Sequence, residues 1–223
     1  MTKAFSARSL GIVIILGSVW GLSEAALGIG LQRCASLASG SIMTGVALFF
    51  IGATWKRTQH WLGPLVLIAL ASIFKLFDAL FLSLPVKNGA VANPIFAFWT
   101  EGLALVLMIA FMKESWQAKP TGQAFLGGLS ALVAVNLFPL VKFATGIPAC
   151  VFPGTTTPLS LYYAPIAVGV SFFTVPAAFW LGARLEAFEI RTMDSIRIPA
   201  SRFLIPAAAA VFCLAVMAFI RLV

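Results

Sequence analysis

Charge is scarce in this sequence. Asp, Glu, Lys and Arg make up 10% of its 223 residues, 61% of the residues are hydrophobic, and the mean hydropathy is +1.03. Soluble domains run near ~25% charged and ~45–50% apolar, and a globule of this size has too little interior to hide the excess. A soluble enzyme, a nucleic-acid-binding domain and a disordered chain are therefore excluded, and no nucleic-acid partner is expected. One histidine and three cysteines supply neither a metal cage nor a disulfide framework, so no metal and no cofactor is expected. There is no G-x-x-x-x-G-K-[ST] segment to cradle ATP phosphates and no H-E-x-x-H. His60 stands beside Lys56 and Arg57, far from the polar residues discussed below, so a Ser–His pair is not available there. With no nucleophile or metal to carry it, lipid-directed enzyme chemistry is the weakest of the functional readings, and the expectation is that the chain is not an enzyme. No inverted repeat and no filter-like Gly-Tyr-Gly segment points to a carrier or a channel.

Long apolar windows are abundant. A membrane-spanning helix needs about 20 mostly apolar residues, and seven windows qualify, near 10–30, 38–55, 62–84, 91–112, 122–145, 160–183 and 203–221. They are apolar on all faces rather than alternating, which favours helices over a β-barrel. The fold class is all-α, a polytopic transmembrane helical bundle of about seven spans. It forms one domain over 1–223, with a core bundle near 10–183 and an additional C-terminal span near 203–221. With the N-terminus inside, Lys3, Arg8, Lys56, Arg57, Lys113, Lys119, Arg184, Arg191, Arg197 and Arg202 fall on the inner side. Arg33, Lys87, Lys142 and Arg221 fall on the outer side. This bias sets the N-terminus inside and the C-terminus outside, in a bacterial cytoplasmic (inner) membrane. Lys3 and Arg8 followed by Gly11–Leu22 and Ser23-Glu24-Ala25 also fit a signal peptide. The apolar stretch continues through Ala26–Leu31, however, longer than a signal core needs. Residues 146–159 form an uncharged outer loop with three prolines, and residues 184–202 a charged inner one, either a short helix on the membrane surface or, the preferred reading, a solvated connector.

Ionisable side chains inside spans are costly and often mark function. Here they are Glu24, Lys75, Asp78, Glu101 and Lys142, with Asn93 and Asn136 adding neutral polarity. At 1.5 Å per helical residue, nearly all lie between the midplane and the outer surface, as expected of a polar pocket open to the outside. If all five charged groups are ionised they sum to −1, which favours a cationic or zwitterionic ligand. Trp20 and Trp99 lie within about a turn of Glu24 and Glu101 and are candidate pocket walls. Trp55, Trp61 and Trp116 read as interfacial anchors. The competing reading is structural: Lys75 and Asp78 are three apart and able to pair, and Glu24 or Glu101 could pair with Lys142 or simply be protonated.

Gly17, Gly21 and Ala25 form a small-x-x-x-small stripe on the first span, which lets a second helix approach closely. That helix belongs either to this bundle or to a separate membrane subunit. Pro139, between Asn136 and Lys142, predicts an irregular outer end of the fifth span. Cys34 and Cys150 both fall on the outer side and form a candidate disulfide. Cys213 reads as a buried apolar residue.

Trp20-Gly21-Leu22-Ser23-Glu24-x-x-x-Gly28, Lys75, Asn93-Pro94 and Glu101-Gly102 together resemble the small integral membrane proteins classed as predicted substrate-binding (S) components of energy-coupling factor transporters. The resemblance covers roughly residues 10–145, and the family bundle has six helices against seven here. It implies a membrane subunit that captures a micronutrient in the outer half of the bundle, beneath outer loops. It also implies that Gly17, Gly21 and Ala25 meet a membrane coupling subunit joined to cytoplasmic ATPases. The leading expectation is thus a substrate-binding subunit for uptake of a small polar or aromatic nutrient, energised by partner subunits. The alternative is a structural or assembly subunit whose buried charges pair internally.

Overall fold

In the computed structural model, residues 5–30, 37–193 and 201–222 are described. The helices are α1 (Ala7–Gly30), α2 (Leu37–Thr58), α3 (Leu62–Phe81), α4 (Gly89–Phe111), α5 (Glu114–Gln117), α6 (Pro120–Leu137), α7 (Val141–Thr145), α8 (Leu159–Met193) and α9 (Ser201–Leu222). Among the described residues, seven helical segments are long and apolar enough to cross a bilayer: α1, α2, α3, α4, α6 with α7, α8 and α9. The chain is a multi-pass helical membrane protein. The only extended pairing among the described residues is an isolated bridge between Val151 and Pro158.

The long helices run up and down. α8 packs along α2 and α6, α4 lies against α6 and α3, and α1 lies between α3 and α9. Without a hydrophobic drive between helices in lipid, close approach of small residues does this work. A Cβ on Gly127 of α6 would strike the Ser171 carbonyl of α8, and one on Gly182 of α8 would come within 2.6 Å of the Ala53 carbonyl of α2. Hydroxyls within spans bond their own helix, as Ser18 Oγ does to the Ile14 carbonyl (2.7 Å) and Ser72 Oγ to the Ile68 carbonyl (2.8 Å). Their polarity is thereby met without water.

Two features depart from the sequence reading. α6 ends at Leu137 and passes through a 3₁₀ turn, Phe138–Leu140, into α7. Pro139 has no N–H to continue the α-ladder, and Gly146 closes α7 in the left-handed region at φ 76°. The inner loop expected from residue 184 is helical as far as Met193, because no helix breaker precedes Pro199. At 35 residues, α8 is about 50 Å long, well beyond the ~30 Å hydrocarbon core. Its extension carries Arg184, over the Trp180 ring at 5.4 Å, and Glu186, whose charge lies beside Arg57.

The small stripe on α1 is filled from within. A Cβ on Gly17 would lie 2.8 Å from Leu70 Cδ2, and one on Gly21 would collide with Phe74, both of α3. Ala25 is buried with Phe74, Cys213 and Met217. Gly17, Gly21 and Ala25 thus seat α3 and α9 of the same chain, which accounts for the stripe by packing within the bundle.

Candidate functional site

One end of the bundle, the end opposite the start of α1, encloses a cavity of about 740 Å³. Its walls are the C-terminal ends of α1, α3, α6 and α9 and the N-terminal ends of α2, α4 and α8. Ile147, Pro148 and Cys150 of the loop before α8 also line it. That loop is pinned by the Leu159 N–H donating to the Cys150 carbonyl (2.8 Å) and by Phe152 stacked on Tyr162, ring centroids 4.2 Å apart. Cys150 is disulfide-bonded and Cys213 is a buried free thiol. Cys34, the other half of the candidate bridge, lies outside the described residues.

The polar lining falls into two groups. The first is an ion cluster on α3 and α9. Lys75 Nζ donates to Asp78 Oδ2 at 3.0 Å; Arg221 Nε donates to Asp78 Oδ1 at 2.5 Å and its Nη2 to Oδ2 at 3.1 Å. Asp78 is 2% exposed, so its charge is offset by two cations rather than by water, as burial of a carboxylate requires.

The second group holds Glu24 and Glu101, both buried. Trp20 donates its indole N–H to Glu24 Oε1 at 3.3 Å, because residues four apart share a helix face. Trp20 is itself fully buried, packed on Phe98 with ring centroids 4.8 Å apart. It therefore stands behind Glu24, not in the wall. Among the described residues, Glu24 Oε2 has no hydrogen-bond partner. Glu101 is hydrogen-bonded by the Thr44 side chain and lies within the electrostatic reach of Glu24 and Tyr163. Asn93 on α4 and Ser160 on α8 line the same space, and Asn93 Oδ1 and Ser160 Oγ are likewise buried without hydrogen-bond partners among the described residues. Asn88 caps α4, accepting from the Ala90 N–H at 2.9 Å, and so fixes where Asn93 and Glu101 emerge.

Of the residues singled out from sequence, Glu24, Lys75, Asp78, Asn93 and Glu101 are brought together around the cavity. Three are not. Trp99 is 42% exposed on the lipid side; two residues from Glu101 is about 200° around a helix, the opposite face. Asn136 is exposed and donates to the Leu132 carbonyl at 2.7 Å. Lys142 is exposed, over the Phe143 ring at 5.4 Å, because the 3₁₀ turn re-phases the chain beyond Pro139. Thr44, Ser160 and Tyr163 carry no sequence signal of their own; the charged residue that sequence reasoning missed is Arg221, counted as a terminal charge on the outer side. It is the sole charge in the described run Phe203–Leu222, and a lone cation at the end of an apolar span is the signal that could have found it.

No protein-family model, curated protein or solved structure matches this chain. The site is therefore read from its own geometry. Among the described residues no group of three His, Cys, Asp or Glu side chains could hold a metal ion. With Arg221 in place of Lys142, the cluster contains three carboxylates and two cations, a net −1 if all are ionised.

Proposed function

We propose that the chain is a solute-binding integral membrane subunit that captures a small organic molecule for uptake across the bacterial cytoplasmic membrane. The observation that carries this reading is the cavity of about 740 Å³ lined by a buried carboxylate oxygen, Glu24 Oε2, that has no hydrogen-bond partner among the described residues. Small-molecule sites measure about 300–1,000 Å³, with apolar walls and a few convergent polar groups. Phe98, Phe138 and Tyr163 supply such walls here. The excess of Lys and Arg at the opposite end of the bundle, with Trp61 and Trp116 exposed there, supports an outward-facing cavity. With no phosphate-cradling loop of its own, the chain would depend on separate subunits for energy. The resemblance of its Trp20–Gly28 and Asn93–Gly102 segments to energy-coupling factor S components agrees with that division of labour.

The structural reading has one observation in its favour: Asp78 is paired from within by Lys75 and Arg221. It leaves Glu24 unexplained. Native mass spectrometry of the chain, purified in an uncharged detergent, separates the two. The expected result is a bound organic mass that is lost in Ala97→Phe, which projects a ring into the cavity, while the variant remains folded. A folded chain with no bound mass in either form refutes the solute-binding role.

A further inference from the structure

Resting on that reading, we infer that the solute is a small organic cation with N–H donors on a flat, apolar body. The two cations among the described lining residues, Lys75 and Arg221, are both engaged by one carboxylate, Asp78. An anionic solute would have to displace Asp78 from them while facing Glu24 and Glu101. The acceptors are in the opposite condition. Glu24 uses Oε1 for Trp20 and leaves Oε2 without a hydrogen-bond partner among the described residues. Only the more distant Lys75 charge, already bonded to Asp78, reaches it, and Glu101 lies close enough to add to the same negative field. A carboxylate has acceptor sites only, and a buried one is costly until an opposite charge or an N–H meets it. A neutral solute lacking a donor would leave that oxygen unmet. A protonated amine or amidinium satisfies it and balances the field in one step, with charge-assisted bonds roughly twice as strong as neutral ones. Asn93 carries an amide that can turn either edge to such a ligand, and Ser160 a hydroxyl that both donates and accepts. The remaining wall is aromatic and aliphatic, and Phe98, Phe138 and Tyr163 suit a flat ring or a cation lying against a π-face.

The test uses three solutes with one ring and different heads: benzamidinium, benzyl alcohol and benzoate. Their binding to the full chain in an uncharged maltoside detergent is measured by titration calorimetry. Benzamidinium is expected to bind at least tenfold more tightly than either of the others. Glu24→Gln is expected to lose that preference by tenfold or more, with benzyl alcohol unaffected. Benzoate or benzyl alcohol binding as tightly as benzamidinium overturns the charge assignment and leaves the solute-binding role standing. Failure of all three to bind also overturns it, and the native mass measurement above then decides whether the solute-binding role falls as well. A lipid head group could supply the same ammonium. If phosphatidylethanolamine nanodiscs abolish benzamidinium binding while phosphatidylglycerol nanodiscs preserve it, the soluble cation is overturned in favour of a lipid amine.

Discussion

Glu24→Gln distinguishes a ligand-binding carboxylate from a structural one because the two roles predict opposite signs of stability change. Glutamine keeps the side-chain volume and an oxygen for the Trp20 indole, whose N–H lies 3.3 Å from Glu24 Oε1. What it removes is the buried charge, whose second oxygen has no hydrogen-bond partner among the described residues. A buried charge costs more than a neutral buried polar group, but the amide NH2 that replaces Oε2 keeps part of the polar cost, so the ligand-free chain should become more stable by only about 1 kcal/mol. At about 2–4 °C per kcal/mol for a chain of this size, the melting temperature should rise by about that much. The same substitution takes away a charge-assisted bond to the solute, worth about 1.5–3 kcal/mol, and Kd should rise about 10- to 150-fold. Melting of the detergent-solubilised chain, followed by tryptophan emission with and without benzamidinium, reads both effects in one preparation. A lower melting temperature in the ligand-free variant, with Kd unchanged, would show that Glu24 holds the fold and that the vacant oxygen was misread.

Asp78→Asn should act in the other direction. It leaves Arg221 and Lys75, 4% and 12% exposed, without a counter-charge, and removal of one partner from a buried ion pair costs about 3–5 kcal/mol. Hydrogen exchange should rise along α9, and adding Lys75→Met and Arg221→Met should restore protection; persistence of protection in the single variant would refute the pairing. Gly21→Ala should destabilise the isolated chain by about 1–3 kcal/mol, the usual cost of overpacking, because Phe74 occupies the space. An unchanged melting point with lost assembly would instead make the stripe a docking surface. In intact cells, an impermeant maleimide should label Lys87→Cys, in the loop at the cavity end, and spare Lys56→Cys at the other; the reverse pattern would place the cavity on the cytoplasmic side.

The spans were legible in the sequence because the bilayer imposes a single strong requirement, about 20 apolar residues per crossing, and seven stretches meet it. Which polar residues meet was legible only where regular helical phase applied. Glu24 and Trp20, four apart on α1, share a face and form a hydrogen bond. Glu101 and Trp99, two apart on α4, are turned away from each other, so nearness in sequence misled. Asn136 precedes the break at Pro139 and shares the outer face of α6 with exposed Leu129 and Leu132. Lys142 follows it: Pro139 was visible as a break, but a break does not announce the angle at which the chain resumes, and Lys142 ends up on the outside. The glycine stripe illustrates a different limit. Small residues declare that something comes close, not whether it comes from this chain, and here Leu70 and Phe74 fill the groove.

Arg221 joins these points. Taken as a terminal charge on the outer side, it makes α9 an appendage to a six-helix core and leaves Asp78 with Lys75 alone, an i,i+3 partner on the same helix. Once α9 lies along α1 and α3, Arg221 reaches Asp78 from a residue 143 positions away in sequence. The seventh span therefore has a chemical role as well as a packing one, because it completes the neutralisation of Asp78. That completion leaves the two glutamates without a salt bridge among the described residues, with only the charge of Lys75 reaching Glu24. If Asp78 had only Lys75, Arg221 would be free to attract an anion into the cavity; because Asp78 holds both cations, Glu24 and Glu101 are left as the groups a solute must answer.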